Sequence, residues 1–573
     1  MSRPAVDRRP GLIGPVLVLV VAVFAAFAPT LQNGFVLWDD DMILTDNTDF
    51  RGLSPSHLRW MFTTFLGGQY QPLTWMSFAV DHALWGMSAA GYHLTSLALH
   101  VANAVLVYIL IRTLLARTAV GSRALHAAAI AGALAFAIHP LRVESVAWAT
   151  ARRDVLSGLF YLLTILTYLR MAYERDRGGG WSPWFVASLA CFTLSLLAKT
   201  WGVTLPFVLL ALDVYPLRRW SRGALAEKAA YGVVAAAGVI VTLLMLRHFS
   251  DVKSLAQHGL FARAAQAAYG LCFYAWKTVV PLNLSPLYMI EPTLDPFRPR
   301  YVACALAVLV TGTALVALRR RVPWALAAAA CYAVVVAPML GVMQTGPQIA
   351  ADRYTYLACL PWAVLAAAAL HRWPRFFPLA AAALVVLGVL TWRQTTIWKD
   401  TPALWEHALR VDPENYFAHL NLGWERQVHG DLEGAYRRYD EALRINPKFT
   451  LALNNRGNVS QARGNYDAAI ADFTAAIEAN PQYASPYMNR GTLRLAQQDL
   501  DGALADLNEA VRLDPEDGRN YNNRALARQA KRDVTGALAD YREALARFPP
   551  GTPGRPMIEQ NLADLQAAVR ARH

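Results

Sequence analysis

The chain has 573 residues, 55% of them hydrophobic and only 17% charged, with a formal net charge of +13. The apolar residues are gathered in long runs up to about residue 395, after which the sequence turns polar and periodic. That unevenness excludes an ordinary soluble enzyme and points to a polytopic membrane protein with a soluble C-terminal domain; no nucleic-acid partner is expected.

The first run, residues 11–31, follows Arg3, Arg8 and Arg9 and ends near Ala26-Phe27-Ala28, which looks like a signal-cleavage site. Pro29 would then follow the cut, and the run is longer than a signal core, so it reads as an uncleaved span. Further candidate spans are 93–113, 125–139, 155–172, 183–198, 202–217, 230–247, 301–318, 323–341, 356–371 and 376–393. With the N-terminus in the cytoplasm, the positive clusters Arg112/Arg117/Arg123, Arg170/Arg175/Arg177, Arg218/Arg219/Arg222, Arg319–Arg321 and Arg372/Arg375 all fall on the cytoplasmic side. Eleven spans then leave the C-terminal domain outside, in the periplasm if the membrane is a bacterial inner membrane. The apolar stretch 264–283 would invert the later loops if it crossed, and is expected to be re-entrant or interfacial. The five cysteines lie singly in or beside apolar stretches and read as small buried hydrophobes.

The outer loops hold most of the chemistry. The first, 32–92, contains FVLWDDD, with Asp39, Asp40 and Asp41, then YQPLTW (70–75) and, at its end, GYH with His93. The next contains HPLRVESVAWATARRD (139–154), and Lys199 sits in LLAKTWGVTLPFVLLALD. The large loop 248–300 includes YAWKTVVPLNLSPLY, with Lys277, and a late loop contains ADRYTYL, with Arg353. Ionisable groups at membrane depth are costly unless they pair or face a cavity, which makes them candidates for function. An acid to accept a proton, with cations to hold an anionic leaving group, suits group transfer from a lipid phosphate. Each also has an ordinary reading: the acids as a wet loop, His139-Pro140 as a helix end, Glu144 with Arg152 or Arg153 as a structural ion pair.

Beyond residue 396 the sequence repeats. Pro413, Pro447, Pro481, Pro515 and Pro549 recur every 34 residues, as do Asn421, Asn455, Asn489 and Asn523. This is the tetratricopeptide period, with four repeats at 416–449, 450–483, 484–517 and 518–551. Residues 401–413 form a half-repeat in which Trp405 and Ala408 take the repeat positions, and 555–571 form a polar capping helix. Such a solenoid binds protein or peptide, with the four asparagines as the expected acceptor contacts.

Taken together and in order, FVLWDDD, YQPLTW, GYHLTSLALH, HPLRVESVAWATARRDVLS, LLAKTWGVTLPFVLLALD, YAWKTVVPLNLSPLY and ADRYTYL, followed by the repeats, resemble the transmembrane and tetratricopeptide repeat-containing family of protein O-mannosyltransferases. The resemblance implies an all-α architecture: a GT-C-like glycosyltransferase domain over 1–395, with an extracytoplasmic active site, and a repeat domain over 396–573. It implies a polyprenyl- or dolichyl-phosphate sugar as donor and a protein hydroxyl as acceptor. The family's acidic pair falls on Asp39 and Asp40, one of them the base. Its HP…E motif falls on His139 and Glu144 and its basic-acidic element on Arg153 and Asp154. Arg353, Lys199, Lys277 and Arg153 would hold the donor phosphate, and His139, Glu144, Asp154 and His93 would orient donor or base. Asp41 matches the family less well. No cofactor is required, although a divalent ion at Asp39, Asp40 and Asp41 is compatible with the pattern. A membrane-anchored repeat scaffold without catalysis, and a lipid or solute transporter, are the alternatives.

Overall fold

A computed structural model describes residues 12–116, 123–176, 182–248, 258–291, 294–341, 346–548 and 551–571. The N-terminal arginines, Arg117, Arg177 and Pro549 lie outside the described residues. Helices make up nearly all the regular structure, joined by one short antiparallel pair, Tyr288–Met289 with Gln348–Ala350. The chain divides into two compact units, Met1–Val411 and Asp412–His573.

In the first unit each of the eleven predicted segments is helical, in three different ways. Seven helices are long and apolar enough to cross a membrane: Ile13–Gln32, Ala89–Leu115, Ala149–Arg175, Thr200–Leu217, Arg222–Leu246, Pro299–Ala317 and Pro374–Thr396. Two segments are bent pairs, Arg123–Ala137 with Pro140–Ala147 at 54° and Asp352–Ala358 with Leu360–Arg372 at 55°. The remaining two, Pro183–Ala198 and Pro323–Met339, are shorter apolar helices. This is a multi-pass membrane protein. The first bend has a local cause: Pro140 has no N–H to continue the preceding helix, and His139 caps the next turn by accepting the Leu141 N–H at 3.2 Å.

Helix Leu260–Val279 is not among the membrane-length apolar helices. Tyr332 donates its hydroxyl to Leu271 O at 2.6 Å, and the Ala351 N–H bonds the Tyr274 hydroxyl at 3.3 Å. Phe261, Trp276 and Val279 on the same helix are exposed. The cysteines are less buried than expected: Cys359 is buried, whereas Cys191, Cys272, Cys304 and Cys331 are only partly covered. Between five segments of this unit lies an apolar cavity of about 470 Å³, lined from Leu357 and Leu360 to Arg372 and Trp373. Because the lining follows the whole helix Leu360–Arg372, 13 residues rising about 1.5 Å each, the cavity runs along roughly 20 Å.

The second unit realises the 34-residue period as four helix pairs, from Tyr416–Val428 with Leu432–Ile445 to Gly518–Ala530 with Val534–Arg547, closed by Arg555–Arg570. Second helices end at Ile445, Ala479, Leu513 and Arg547, two residues before each proline, because the residue before proline is pushed out of helical geometry. Gly423 and Gly457, one repeat apart, are required by contact: a Cβ at Gly423 would meet the Tyr439 ring at 2.6 Å and one at Gly457 the Phe473 ring at 2.6 Å. Repeats two to four each carry a half-buried two-pronged ion pair, Arg456–Asp472, Arg490–Asp506 and Arg524–Asp540, with bonds of 2.7–3.0 Å. The first repeat has Leu422 and Arg438 at those positions. The half-repeat helix, Thr401–Val411, packs as part of the first unit.

Candidate active site

Asp39 and Asp40 are neighbours in sequence with opposite commitments. Asp40 is 1% exposed and saturated: one oxygen accepts the Val36 N–H at 3.0 Å, the other accepts the Thr150 N–H at 3.0 Å and its hydroxyl at 2.5 Å. It ties the acidic turn to residues 149–151. Asp39 is partly exposed, makes no side-chain hydrogen bond or ion pair among the described residues, and faces the Arg153 and Arg353 guanidiniums. Both acids lie outside the membrane-length helices. Burial pushes the Asp40 carboxyl up to about 6, against the hydrogen bonds from Thr150 and Val36. Burial also raises Asp39, while Arg153 and Arg353 pull it back down.

Around Asp39 the structure gathers most of the predicted residues. Glu144, 2% exposed, accepts the Arg353 N–H at 2.8 Å and pairs with its guanidinium. Its partner is therefore Arg353, not Arg152 or Arg153. Lys199 pairs with Asp154, whose other oxygen accepts the Ser145 hydroxyl at 3.2 Å. Trp201, beneath the Lys199 ammonium, meets Tyr354 edge-on at 5.1 Å and so links the lysine turn to the arginine turn. The adjacent arginines part company: Arg152 pairs with Asp81 at 2.5 Å and with Tyr92 O, away from the acids. Arg153 is buried and makes no hydrogen bond or ion pair among the described residues. It is the uncommitted cation of the group.

Three predicted residues have other occupations. His139 spends both ring nitrogens on main chain, Leu141 N and Thr278 O, and so shapes the bend. His93 is buried with one nitrogen 3.4 Å from Gly34 O, on the segment leading to the acids. Lys277 donates to Leu282 O and Asn283 O in the loop after its helix, at 2.5 and 3.1 Å. It faces Asp352, which accepts the Tyr288 hydroxyl at 2.9 Å. In the repeats, Asn489 bonds Asn454 and Asn458 of the preceding repeat at 2.9 and 3.0 Å, and Asn523 bonds Thr492 at 3.0 Å. Asn421 bonds back to Phe417 O, and Asn455 accepts from Asn454. Among the described residues no three His, Cys, Asp or Glu side chains gather as a metal site. Asp40, turned inward with both oxygens hydrogen-bonded, is not placed to join Asp39 and Asp41 around a divalent ion.

The sequence reading missed the aromatic floor of the site. Trp38 stacks on Trp148 at 4.7 Å, with Trp398 and Trp405 packed around it at 6.3 and 5.2 Å. The Arg353 guanidinium lies over Trp38 and Trp148, at 5.9 and 5.5 Å. Trp38 and Trp148 both stand inside the quoted motifs, but their meeting could not be read from either motif alone. Gln71, in YQPLTW, is 1% exposed with no partner for either amide atom among the described residues.

Comparison with known proteins adds three findings. The tetratricopeptide repeat family matches residues 450–483 and, by a second repeat description, 488–552. The chain is similar to protein O-mannosyl-transferase Tmtc3 of Drosophila melanogaster, 24% identical over 73% of this chain and 54% of that one. It is likewise similar to human protein O-mannosyl-transferase TMTC4, 25% identical over 74% of this chain and 65% of the relative. A shorter match, 31% identical over 38% of this chain, is to human protein O-mannosyl-transferase TMTC1, of which it covers 26%. The chain thus spans about half to two thirds of the length of the relatives it matches most fully. Among solved structures, YrrB, described as a TPR protein with an unusual peptide-binding site, aligns at 21% identity over 30% of this chain and 85% of that one, with a TM-score of 0.26.

Proposed function

We propose that this chain is an integral-membrane glycosyltransferase that moves a hexose from a lipid-phosphate donor to a Ser or Thr hydroxyl of a protein. The mannose named in its relatives is the first sugar to test. The observation that carries the reading is Asp39, a carboxylate left free of hydrogen bonds and facing Arg153 and Arg353. The apolar cavity supports a lipid-linked donor: Leu357, which lines it, stands one helical turn after Arg353.

In this mechanism Asp39 takes the proton of the acceptor hydroxyl as its oxygen attacks the anomeric carbon. The bond from that carbon to the phosphate oxygen breaks on the opposite side, the configuration inverts, and the electron pair stays on the departing phosphate. Arg153, free of other partners, binds that phosphate first, with Arg353 beside it. Lys199 and Glu144 act through their partners, Asp154 and Arg353, and hold the cations in place. The donor's own negative charge raises Asp39's affinity for a proton, which suits a base that must accept one.

The clustered arginines support a site and repeats on the extracytoplasmic side, where the solenoid gathers acceptor protein near the site. The test is transfer from polyprenyl-phosphate mannose to a Ser/Thr-rich peptide by the purified full chain in liposomes. Transfer that is lost in Asp39→Asn and kept in wild type is expected. Equal turnover in both overturns the assignment, and a chain that never transfers any lipid-linked hexose but still binds envelope proteins supports the scaffold reading.

A further inference from the structure

The segment that carries Asp39 is held from a place more than 350 residues away. Between Gln32 and Trp38 it is irregular, and its polar main chain needs partners from elsewhere. Those partners come in succession from the end of the last membrane-length helix, the turn after it and the helix beyond. Asn33 donates its side-chain amide to Thr395 O at 3.1 Å, and Gly34 its N–H to Lys399 O at 2.8 Å. The Leu37 N–H bonds the Thr401 hydroxyl at 2.8 Å, and the Leu37 carbonyl accepts from Trp405 Nε1 at 3.4 Å. Both halves of the peptide group pair of Leu37 are therefore gripped by one helix, Thr401–Val411.

The same helix also sets the ring next to the acid. Trp405, fully buried, meets Trp38 edge-on at 5.2 Å, and Trp38 in turn underlies Arg353. A shift of the helix therefore moves Leu37, Trp38 and the guanidinium together. By its sequence pattern this helix is a half-repeat, with Trp405 and Ala408 at the repeat positions. Its large residue is nonetheless spent on the loop of the membrane unit. His407 anchors the helix on its other side, against Leu284 O at 2.8 Å. Five residues after Val411 the first full repeat begins at Tyr416.

We infer that helix Thr401–Val411 is the positioning element of the acidic turn, with Thr401 and Trp405 fixing where Asp39 stands relative to Arg153 and Arg353. The inference rests on the reading of Asp39 as the base. Neither residue touches substrate; both act through Leu37 and Trp38. The half-repeat is thus built into the membrane unit as a brace for its base.

The experiment measures donor KM and kcat for the full chain in liposomes with polyprenyl-phosphate mannose, together with hydrogen exchange of a peptide covering 33–45. Thr401→Val keeps the shape of the side chain and removes the hydroxyl. Trp405→Phe keeps a ring and removes the N–H. The expected result is a kcat loss on the order of tenfold or more with donor KM unchanged, since a small misplacement of a catalytic group acts on turnover. Faster exchange at 33–45 should accompany it, and Thr401→Ser should restore both. Unchanged exchange and unchanged kcat in both variants overturn the inference, as does a loss that Thr401→Ser fails to restore. Asp39→Asn separates the two readings. If it transfers normally, the base assignment fails, and the exchange data alone still decide whether the helix holds the turn.

Discussion

Arg353 reaches Glu144 twice, through its main-chain N–H at 2.8 Å and through its guanidinium, across 209 positions of sequence. The carboxylate thereby fixes both where the arginine's backbone turns and where its charge points. Removing the acid leaves a buried cation without its partner, which costs more than removing a surface pair. Glu144→Gln should destabilise the membrane unit by about 3–5 kcal/mol. Thermal unfolding in detergent measures it, with Asp46→Asn as an exposed-acid control that should leave the midpoint in place.

The two neighbouring acids should fail in different ways. Asp39→Asn is expected to lower turnover by on the order of a hundredfold or more while leaving the melting temperature alone, because that side chain holds nothing in place. Asp40→Asn keeps one acceptor oxygen and sets an NH2 against at least one of the three donors, and should cost about 1–3 kcal/mol of stability. Paired melting curves and turnover numbers separate the two, and a stability loss in Asp39→Asn alone reverses the assignment.

Asp40 also gives a pH signature. Its folded carboxyl titrates at about 6, above its unfolded value of 3.8, so between those values the folded state holds a proton that the unfolded state has released. Stability from this group is present below pH 4 and is lost as the pH rises through about 6. Asp40→Asn should flatten that part of the stability profile, as read from melting temperatures between pH 4 and 7. The base works in the opposite sense: turnover should fall on acidification, at a pH above the ordinary aspartate range, because burial raises Asp39.

Arg153 and Lys199 should divide along the line of their partners. Arg153→Gln removes a cation that makes no ion pair or hydrogen bond among the described residues, and should raise donor KM roughly tenfold with little change in melting. Lys199→Met strands Asp154, which is buried, and should lower stability as well. Donor titrations in liposomes, with melting curves alongside, distinguish binding from scaffolding.

In the repeats, Gly457→Ala forces a methyl into the buried Phe473 ring and should cost about 1–3 kcal/mol. The unfolding transition of the full chain measures it. The same substitution at Gly14, whose added Cβ meets nothing within 4 Å, should be silent.

The parts of this protein that were legible in the sequence are those whose cause is local or periodic. The 34-residue spacing of prolines and asparagines matches four helix pairs, and the eleven apolar runs all fall on helices, seven of them of membrane length among the described residues. Hydropathy cannot see a bend: the span 125–139 and the reading of His139-Pro140 as a helix end marked where the first helix stops, but not that a second helix follows at 54°. The motifs delivered Asp39, Glu144, Arg153, Asp154, Lys199 and Arg353 to one place. Their partnerships were hidden, because Glu144 could be matched with any nearby arginine until the fold chose Arg353. Asp39 and Asp40 are chemically identical on paper. Only the direction of two side chains, set by Thr150 and Val36, tells them apart. The sharing of the half-repeat helix was hidden for the same reason: its pattern is that of a repeat, and its neighbours are 364 to 368 residues upstream.

Four of the chain's 17 tryptophans, Trp38, Trp148, Trp398 and Trp405, lie ring against ring within 6.3 Å of Trp38, beside the acid and under a guanidinium. Indoles that close together do not absorb light independently; their transitions couple, and the coupling depends steeply on angle and separation. The protein therefore carries an optical gauge of its own acidic turn. Near-ultraviolet circular dichroism of the unlabelled chain can follow the seating of that turn as donor, acceptor or pH is varied.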